Sequence, residues 1–260
     1  MARDFTVQTY LTILDSLRNA GYVFSTYADY QASSAKNPKC VILRHDVDAD
    51  PKKSLEFAKL EKIRNIRSTY YFRTSGSSFN EKIIREIAEL GHEIGYHYMD
   101  LYDAKGNLSN AIASFGKNVK FLRQFYPVTT ISMHGGSLSK WNNLDLWKSY
   151  DYKQFNITGE PYIDIDFHRV LYLTDTGRIW NSSRFNFYDK VPSEYHYTNK
   201  SSFQIIADLS SNKLPDHIMI TTHPQRWHDR LLPWTVEFLM QIPKNSLKLF
   251  IIKFRSWQNL

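Results

Sequence analysis

Two aspartates, Asp46 and Asp48, stand one residue apart at the end of the apolar run in the segment CVILRHDVD, residues 40–48. A strand that ends in this D-x-D pattern brings two carboxylates to one edge of a sheet, where ligands usually bind in parallel α/β folds. Two carboxylates this close are comfortably ionised in a dry site only when a cation lies beside them. The pattern also fits a plain strand-to-helix turn, with an aspartate capping a helix that begins at Pro51.

Histidines follow three later apolar runs of the sequence. His97 comes after EIGY, His134 after ISM and His223 after IMITT, and Asp100 stands three residues beyond His97. Because parallel strands all end at the same side of a sheet or barrel, these side chains are expected to meet at one mouth, where they could hold a divalent metal. His45 fits either a supporting role there or a packed imidazole. We expect His92, at a helix end, to lie at the surface or to cap the helix.

The spacing of apolar residues predicts the elements that must position this cluster. Strands and helices alternate, which favours an α/β fold with a parallel sheet or barrel. An irregular insertion at roughly 137–200 is expected to line the site, and no linker divides the chain, so residues 1–260 are predicted to form a single domain. The predicted helices are 9–20, 51–65, 81–90, 109–125, 201–212 and 233–242, and the predicted strands are 41–44, 68–73, 93–96, 130–133, 170–174, 218–222 and 247–254.

Composition excludes several classes of protein. With 260 residues and 42% apolar residues, the chain can bury a large core and is not disordered. The net charge of +7 is spread along the chain, without a recognisable nucleic-acid-binding module. A single cysteine, Cys40, excludes an intrachain disulfide, and no signal peptide or membrane-length apolar stretch is evident. We therefore expect a soluble, cytoplasmic protein whose many aromatic residues serve either sugar binding or the core.

Several segments resemble a known family. LRHDVD (residues 43–48), ELGHEIGYH (89–97) and IMITTHP (218–224) resemble motifs of the polysaccharide deacetylase superfamily, carbohydrate esterase family 4. RHDVD, GHEIGYHY, MHGG, GEPYIDIDF, LTDTGR and THPQRW together resemble its branch tied to bacterial surface-polysaccharide and O-antigen synthesis. The resemblance implies a single-domain distorted (β/α) barrel with about seven parallel strands. It also implies removal of an acetyl group from an N-acetylated sugar with a divalent metal, usually zinc.

The resemblance also implies roles for individual residues. Asp46 matches the catalytic base, Asp48 and His97 match metal ligands, and His223 matches the general acid that protonates the departing amine.

One position departs from the family pattern. The family carries a second histidine four residues after the first, and this chain has Leu101 there, which cannot bind zinc. We expect His134 to be the third ligand, because imidazole suits zinc, with Asp100 as the alternative.

The predicted substrate contacts lie late in the chain. We expect Asp175 and Arg178 either to contact sugar hydroxyls or a phosphate or to pair with other charged residues of the insertion. We expect Trp180 and Trp227 to stack on the sugar ring. A cytoplasmic enzyme would act on a nucleotide-linked or lipid-linked sugar. Two other functions stay open: a degenerate barrel that binds glycan without cleaving it, which Leu101 favours, and hydrolysis of another C–N amide bond.

Overall fold

The structure, a computed structural model, describes residues 2–33, 38–136, 139–180, 185, 188, 190–195, 197 and 201–258. Parts of the predicted insertion at 137–200 therefore lie outside the described residues. Within the described ranges, no helix combines the length and the apolar character that crossing a membrane demands.

Seven parallel strands form one curled sheet, a half-barrel, which confirms the predicted α/β barrel-like fold. The strand order is β5-β4-β3-β2-β7-β6, with β1 paired to the start of β2. Among the described residues β5 and β6 do not pair, so the sheet stays open between them. The strands are β1 (Val23–Ser25), β2 (Cys40–Val47), β3 (Thr69–Phe72), β4 (Glu93–Tyr98), β5 (Ile131–Met133), β6 (Leu171–Thr174) and β7 (His217–Thr222).

Helices connect most of the strands and cover the sheet. Local signals set their ends: the Asn80 side chain accepts a hydrogen bond from the Ile83 amide at the start of α4, and Gly91 follows that helix with a positive φ of 93°. The described helices are α1 (Val7–Asn19), α2 (Tyr27–Ser33), α3 (Pro51–Ile63), α4 (Glu81–Glu89), α5 (Asp100–Asp103), α6 (Leu108–Leu122), α7 (Pro161–Asp164), α8 (Ser202–Ser210) and α9 (Leu231–Gln258). Short 3₁₀ helices cover Gly76–Ser78, Asn143–Lys148, Tyr152–Phe155 and Pro224–Arg226.

The predicted last strand, 247–254, is wrong, because these residues belong to α9, a continuous helix of 28 residues. A short apolar run does not distinguish strand from helix by its pattern alone. The helix that begins at Leu231 extends through Pro243 into this run, and extending a helix costs far less than starting one. The seventh strand is instead β1, which the sequence prediction missed because it has three residues.

Successive side chains of β2 point to opposite faces of the sheet, and every residue of this strand is buried. Arg44 and Asp46 therefore share one face, which leads to the cavity described below. His45 points to the other face, where it stacks on Tyr70 and faces the Thr222 hydroxyl at 2.7 Å. Of the two roles open for His45, the structure favours the packed imidazole.

A buried carboxylate organises the core on that second face. Glu61 of α3 is fully buried, and His45 Nε2 lies 2.8 Å from its Oε1. Tyr70 and Ser68 donate hydrogen bonds to Oε2, at 2.9 and 2.6 Å. Of the two roles open for His92, the surface position is wrong, because the residue is 1% exposed and its Nδ1 lies 3.6 Å from Glu61. Its amide donates to the Ile87 carbonyl oxygen at 3.4 Å, at the end of α4. Burial raises the pKa of Glu61, but His45, His92 and Ser68 outweigh it and hold the pKa at about 2.

We expect the change Glu61→Gln to lower the free energy of unfolding by about 3 kcal/mol, because it leaves buried partners without their acceptor. A depressed carboxyl pKa stabilises the fold above the ordinary value of 4.5, and this contribution is lost as the pH falls toward 2. Urea denaturation across this pH range should show that loss in the wild type and not in the variant. The control is Glu56→Gln on the same helix, where the side chain is 48% exposed. Equal stability of both variants would contradict this role.

Candidate active site

The carboxyl ends of five strands meet around one cavity of about 320 Å³, near the lower end of the range for small-molecule sites. Acidic and imidazole side chains approach it from different parts of the chain. They are Asp46 in β2 and Asp48 just after it, His97 in β4, His134 after β5 and His223 after β7, with Asp175 after β6 behind His223. The sequence prediction that these strand ends share one mouth is confirmed by their placement.

Three of these residues converge on one point. Asp48 Oδ1 lies 3.5 Å from His97 Nε2 and 3.2 Å from His134 Nδ1, and the two histidine nitrogens are 3.1 Å apart. Donors bound tetrahedrally to one zinc ion at about 2.0–2.1 Å lie about 3.3–3.4 Å from one another. The observed separations match that spacing. Together with the imidazole and carboxylate donors, they make this a group that could hold a metal ion.

The surroundings of His97 prepare it to act as a ligand. Its Nδ1 lies 3.0 Å from the carbonyl oxygen of Ser132, which can only accept a hydrogen bond. The proton of a neutral imidazole therefore belongs on Nδ1, and the lone pair of Nε2 points toward Asp48 and His134. Asp48 Oδ1 is buried and makes no hydrogen bond of good geometry. Asp48 Oδ1 and His97 Nε2 thus both present lone pairs to the same point, and Oδ1 has no hydrogen-bond donor among the described residues to satisfy it. This arrangement suits a cation.

Asp48 is ionised in this setting. Burial raises its pKa, but His134, His97 and His223 outweigh that effect and hold the pKa well below its ordinary value. Its side chain is 24% exposed, and this exposed part opens into the cavity. An anionic carboxylate between three imidazoles is available to a cation at neutral pH.

A buried arginine holds Asp46. Arg44 donates from Nε to Oδ1 and from Nη2 to Oδ2, both at 2.8 Å, in a two-point ion pair. The guanidinium lies over the rings of Tyr71 and Tyr162, 5.0 Å from each ring centre. Burial raises the pKa of Asp46, but Arg44, His97 and His223 outweigh it and keep the pKa below normal. Asp46 Oδ2 lies 3.9 Å from His97 Nε2, so an oriented carboxylate borders the three-residue group.

His223 occupies the opposite side of the cavity and is oriented by Asp175. Its Nδ1 lies 2.6 Å from Asp175 Oδ1, and its amide donates to Oδ2 at 2.9 Å. This contact places the Nδ1 proton against the carboxylate and leaves Nε2 facing the cavity, 3.6 Å from Asp48 Oδ2. Burial raises the pKa of Asp175, but His223 and Arg226 outweigh it, so the carboxylate is charged and stabilises a protonated imidazole.

The structure does not bring Asp100, the alternative third ligand, into this group. Its carboxylate is 1% exposed and accepts hydrogen bonds from Tyr96 at 2.7 Å, Ser114 at 2.7 Å and Asn118 at 2.8 Å. Both oxygens are therefore engaged by Tyr96 and α6, away from the metal-type group. Leu101 is 3% exposed and packs in the core. His134, from a different strand end, stands beside Asp48 and His97.

None of the four residues predicted to contact substrate lines the cavity. Trp180 and Trp227 are core residues, 1% and 0% exposed, and their indole groups donate to Ser202 and to Asp175. The Arg178 guanidinium packs against the ring of Phe5 and donates to the Arg226 carbonyl oxygen. Asp175 supports His223 and Arg226. The two tryptophans bury their rings and satisfy their N–H groups within the protein, as core tryptophans usually do.

Sequence reasoning missed Arg44 and the two tyrosines of the cavity wall, Tyr162 and Tyr172. The signal for Arg44 was present: it precedes Asp46 by two residues in a strand, which puts both on one face. The tyrosine hydroxyls lie 3.0 Å apart. They are brought together by α7 and β6, of which the sequence predicts the strand, at 170–174, but not the helix.

No model of a known protein family and no curated protein matches the chain. Solved structures similar to it include a peptidoglycan deacetylase from Bacillus subtilis (12% identity, 86% of this chain and 96% of that chain covered, TM-score 0.45). A carbohydrate esterase of family CE4 from Streptococcus mutans matches at 15% identity, with 90% and 88% covered and a TM-score of 0.45. A CE4 family pseudoenzyme from Bacillus anthracis matches at 12% identity and a TM-score of 0.43, over 82% of this chain and 62% of that one.

The chain thus spans less than two thirds of the length of that pseudoenzyme. These neighbours comprise a deacetylase, an esterase and a pseudoenzyme.

Proposed function

We propose that the protein is a metal-dependent deacetylase of the polysaccharide deacetylase superfamily, acting on an N-acetylated sugar. The observation that carries this proposal is the convergence of Asp48, His97 and His134, with an oriented carboxylate, Asp46, on one side and an oriented imidazole, His223, on the other. Hydrolysis of an amide needs a polarised carbonyl, a group that accepts a proton from water and a group that protonates the leaving amine.

The metal would be held by Asp48 Oδ1, His97 Nε2 and His134 Nδ1, and two imidazoles with one carboxylate suit zinc. A divalent ion there supplies Lewis-acid polarisation of the acetyl carbonyl and lowers the pKa of a bound water. In this chain the Ser132 carbonyl fixes the ring of His97, and the neighbouring imidazoles keep Asp48 charged.

We propose Asp46 as the general base. Arg44 fixes both of its oxygens, yet a carboxylate has about four acceptor positions, so capacity remains to take a proton from the attacking water. The new bond joins the water oxygen to the acetyl carbon, and the water proton passes to Asp46. Its lowered pKa keeps it ionised and ready to accept at neutral pH.

We propose His223 as the general acid. With Nδ1 held by Asp175, its Nε2 presents a proton to the sugar nitrogen as the C–N bond breaks, and the products are acetate and a free amine. The wall beside it carries Tyr162, Tyr172 and Thr176, which offer hydroxyl groups and flat rings to a sugar. We propose a nucleotide-linked or lipid-linked sugar of bacterial surface-polysaccharide synthesis as the substrate class.

The direct test is release of acetate from a panel of N-acetylated nucleotide sugars, lipid-linked sugars and short oligosaccharides, with zinc, cobalt and nickel each supplied. We expect metal-dependent acetate release from at least one class, which is abolished by a chelator and restored by metal. Metal binding without acetate release across the panel would favour the degenerate, glycan-binding barrel instead.

We expect Asp175→Asn to lower kcat by about 100-fold while metal binding is retained, because the amide no longer holds the required tautomer of His223 or stabilises its charged form. Single-turnover acetate release and metal content should be measured on the same preparation. The matched control is Asp216→Asn, an exposed aspartate at the opposite end of β7. A rate equal to that of the control would show that Asp175 does not position the acid.

A further inference from the structure

Helix α9 exposes an apolar face to solvent. Of the seventeen large apolar side chains that are exposed among the described residues, eleven belong to this helix. The most exposed of them are Leu232 at 76%, Phe250 at 68%, Leu231 at 65% and Leu239 at 57%. Leu232, Leu239 and Phe250 are spaced seven and eleven residues apart, so they lie along one line of the helix. The six exposed apolar side chains outside α9 are scattered singly over the surface, whereas the eleven of α9 lie together on one helix.

The polar side of α9 faces the protein. Gln241 is 5% exposed, Asn245 donates to the Gly177 carbonyl oxygen at 2.9 Å, and Trp234 donates to the Asp4 carbonyl oxygen. A surface helix of a water-soluble protein normally has the opposite arrangement, with its apolar stripe inward. The outer side of α9 is therefore suited to contact with an apolar partner and not with water alone.

The charge of this helix indicates what that environment is. From Phe238 to Phe254 it has no acidic residue and three lysines, Lys244, Lys248 and Lys253, of which Lys244 and Lys253 are exposed. A broad apolar face with aromatic residues and basic residues is typical of helices that lie in the plane of a membrane surface with anionic lipids. The net charge of +7 for the chain adds to this attraction.

A second copy of the chain fits the face less well. The exposed apolar residues span about half the circumference of the helix, wider than the narrow seam that two paired helices share. A two-fold interface would also bring the lysines of both copies together, with no acidic residue in 238–254 to pair with them.

We propose that α9 binds the protein to an anionic lipid surface through this outer face. Lys248 of the same helix lines the cavity together with Asp46 and His223, so such a surface would lie beside the cavity mouth. If the proposed deacetylase function holds, this arrangement selects the lipid-linked sugar over the nucleotide-linked one, because the acetylated sugar would be presented by the membrane itself.

The test is flotation of the full chain with vesicles of phosphatidylcholine alone and of phosphatidylcholine mixed with phosphatidylglycerol. We expect binding to the anionic vesicles that weakens with added salt, and a loss of at least about tenfold in the double variant Leu239→Glu, Phe250→Glu. The control is Ile63→Glu, which changes an isolated apolar side chain that is 76% exposed on α3 and should bind as the wild type does. Far-UV circular dichroism and metal content should show that all three proteins are folded.

Absence of binding to anionic vesicles would overturn the proposal, as would equal binding by the double variant. A dimer in analytical ultracentrifugation that this variant converts to monomer, without vesicle binding by the wild type, would assign the face to a second copy. The flotation result does not depend on activity, so failure of the deacetylase proposal and failure of this one are distinguishable.

Discussion

Replacing Asp48 with asparagine is expected to abolish tight metal binding and, with it, acetate release. Asp48 supplies the single anionic donor of the three-residue group. The neutral amide of asparagine lacks the charge that balances a divalent cation. Loss of a direct ligand should weaken affinity by more than the roughly 10–100-fold that loss of a supporting group costs. Metal content after dialysis against a weak chelator, followed by titration with zinc, measures this directly.

The chain offers a matched control two residues away. Asp50 is exposed and adopts a left-handed conformation, with φ 46°, in which asparagine is well tolerated. We therefore expect Asp50→Asn to keep full metal content and full activity. Retention of one metal ion per chain with unchanged affinity in Asp48→Asn would show that the ion is held elsewhere.

The second large effect is expected for Asp46→Asn, which should lower kcat by about 10³-fold while one metal ion per chain is still bound. The amide cannot accept the water proton, and general-base catalysis typically contributes about 10²–10⁴-fold. Because Asp46 is the partner of a buried arginine, this variant is also expected to be less stable. The thermal midpoint and the metal content must therefore be measured beside the rate.

A second variant separates the chemistry from the loss of stability. Asp46→Glu keeps a charge for Arg44 but moves the carboxylate by one methylene, and displacements of about 1 Å can cost 10²-fold in rate. We expect it to remain folded, to bind metal and to be slow. A variant of Asp46 that is folded, bound to metal and as fast as the wild type would remove this residue from the catalytic role.

The meeting of the acidic and imidazole side chains could be predicted from the sequence, because parallel strands end on the same side of a sheet. Asp46, His97 and His223 each end a run of β-type residues, and runs of this kind in a parallel sheet end on one side. His134 could be anticipated for the same reason, even though Leu101 breaks the family pattern. Its position depends only on where β5 ends, and the structure brings it beside Asp48.

Features that depend on tertiary partners were not predictable in the same way. An aspartate such as Asp175 could contact a ligand or support another side chain, and its residue type does not distinguish the two. The pairing of β6 with β7 shows that it lies behind His223. Trp227 donates to that same carboxylate from within the core. The apolar run at 247–254 fits a strand by its pattern, which does not reveal whether a neighbouring strand exists. In the structure it is part of the exposed helix α9.

One divalent ion is expected to bind between Asp48, His97 and His134. The most direct measurement is an anomalous difference map from crystals of the full chain grown with zinc, recorded above and below the zinc absorption edge. We expect one strong peak within about 2.0–2.2 Å of Asp48 Oδ1, His97 Nε2 and His134 Nδ1. A map in which zinc is bound elsewhere, with no peak between these three atoms, would contradict the account.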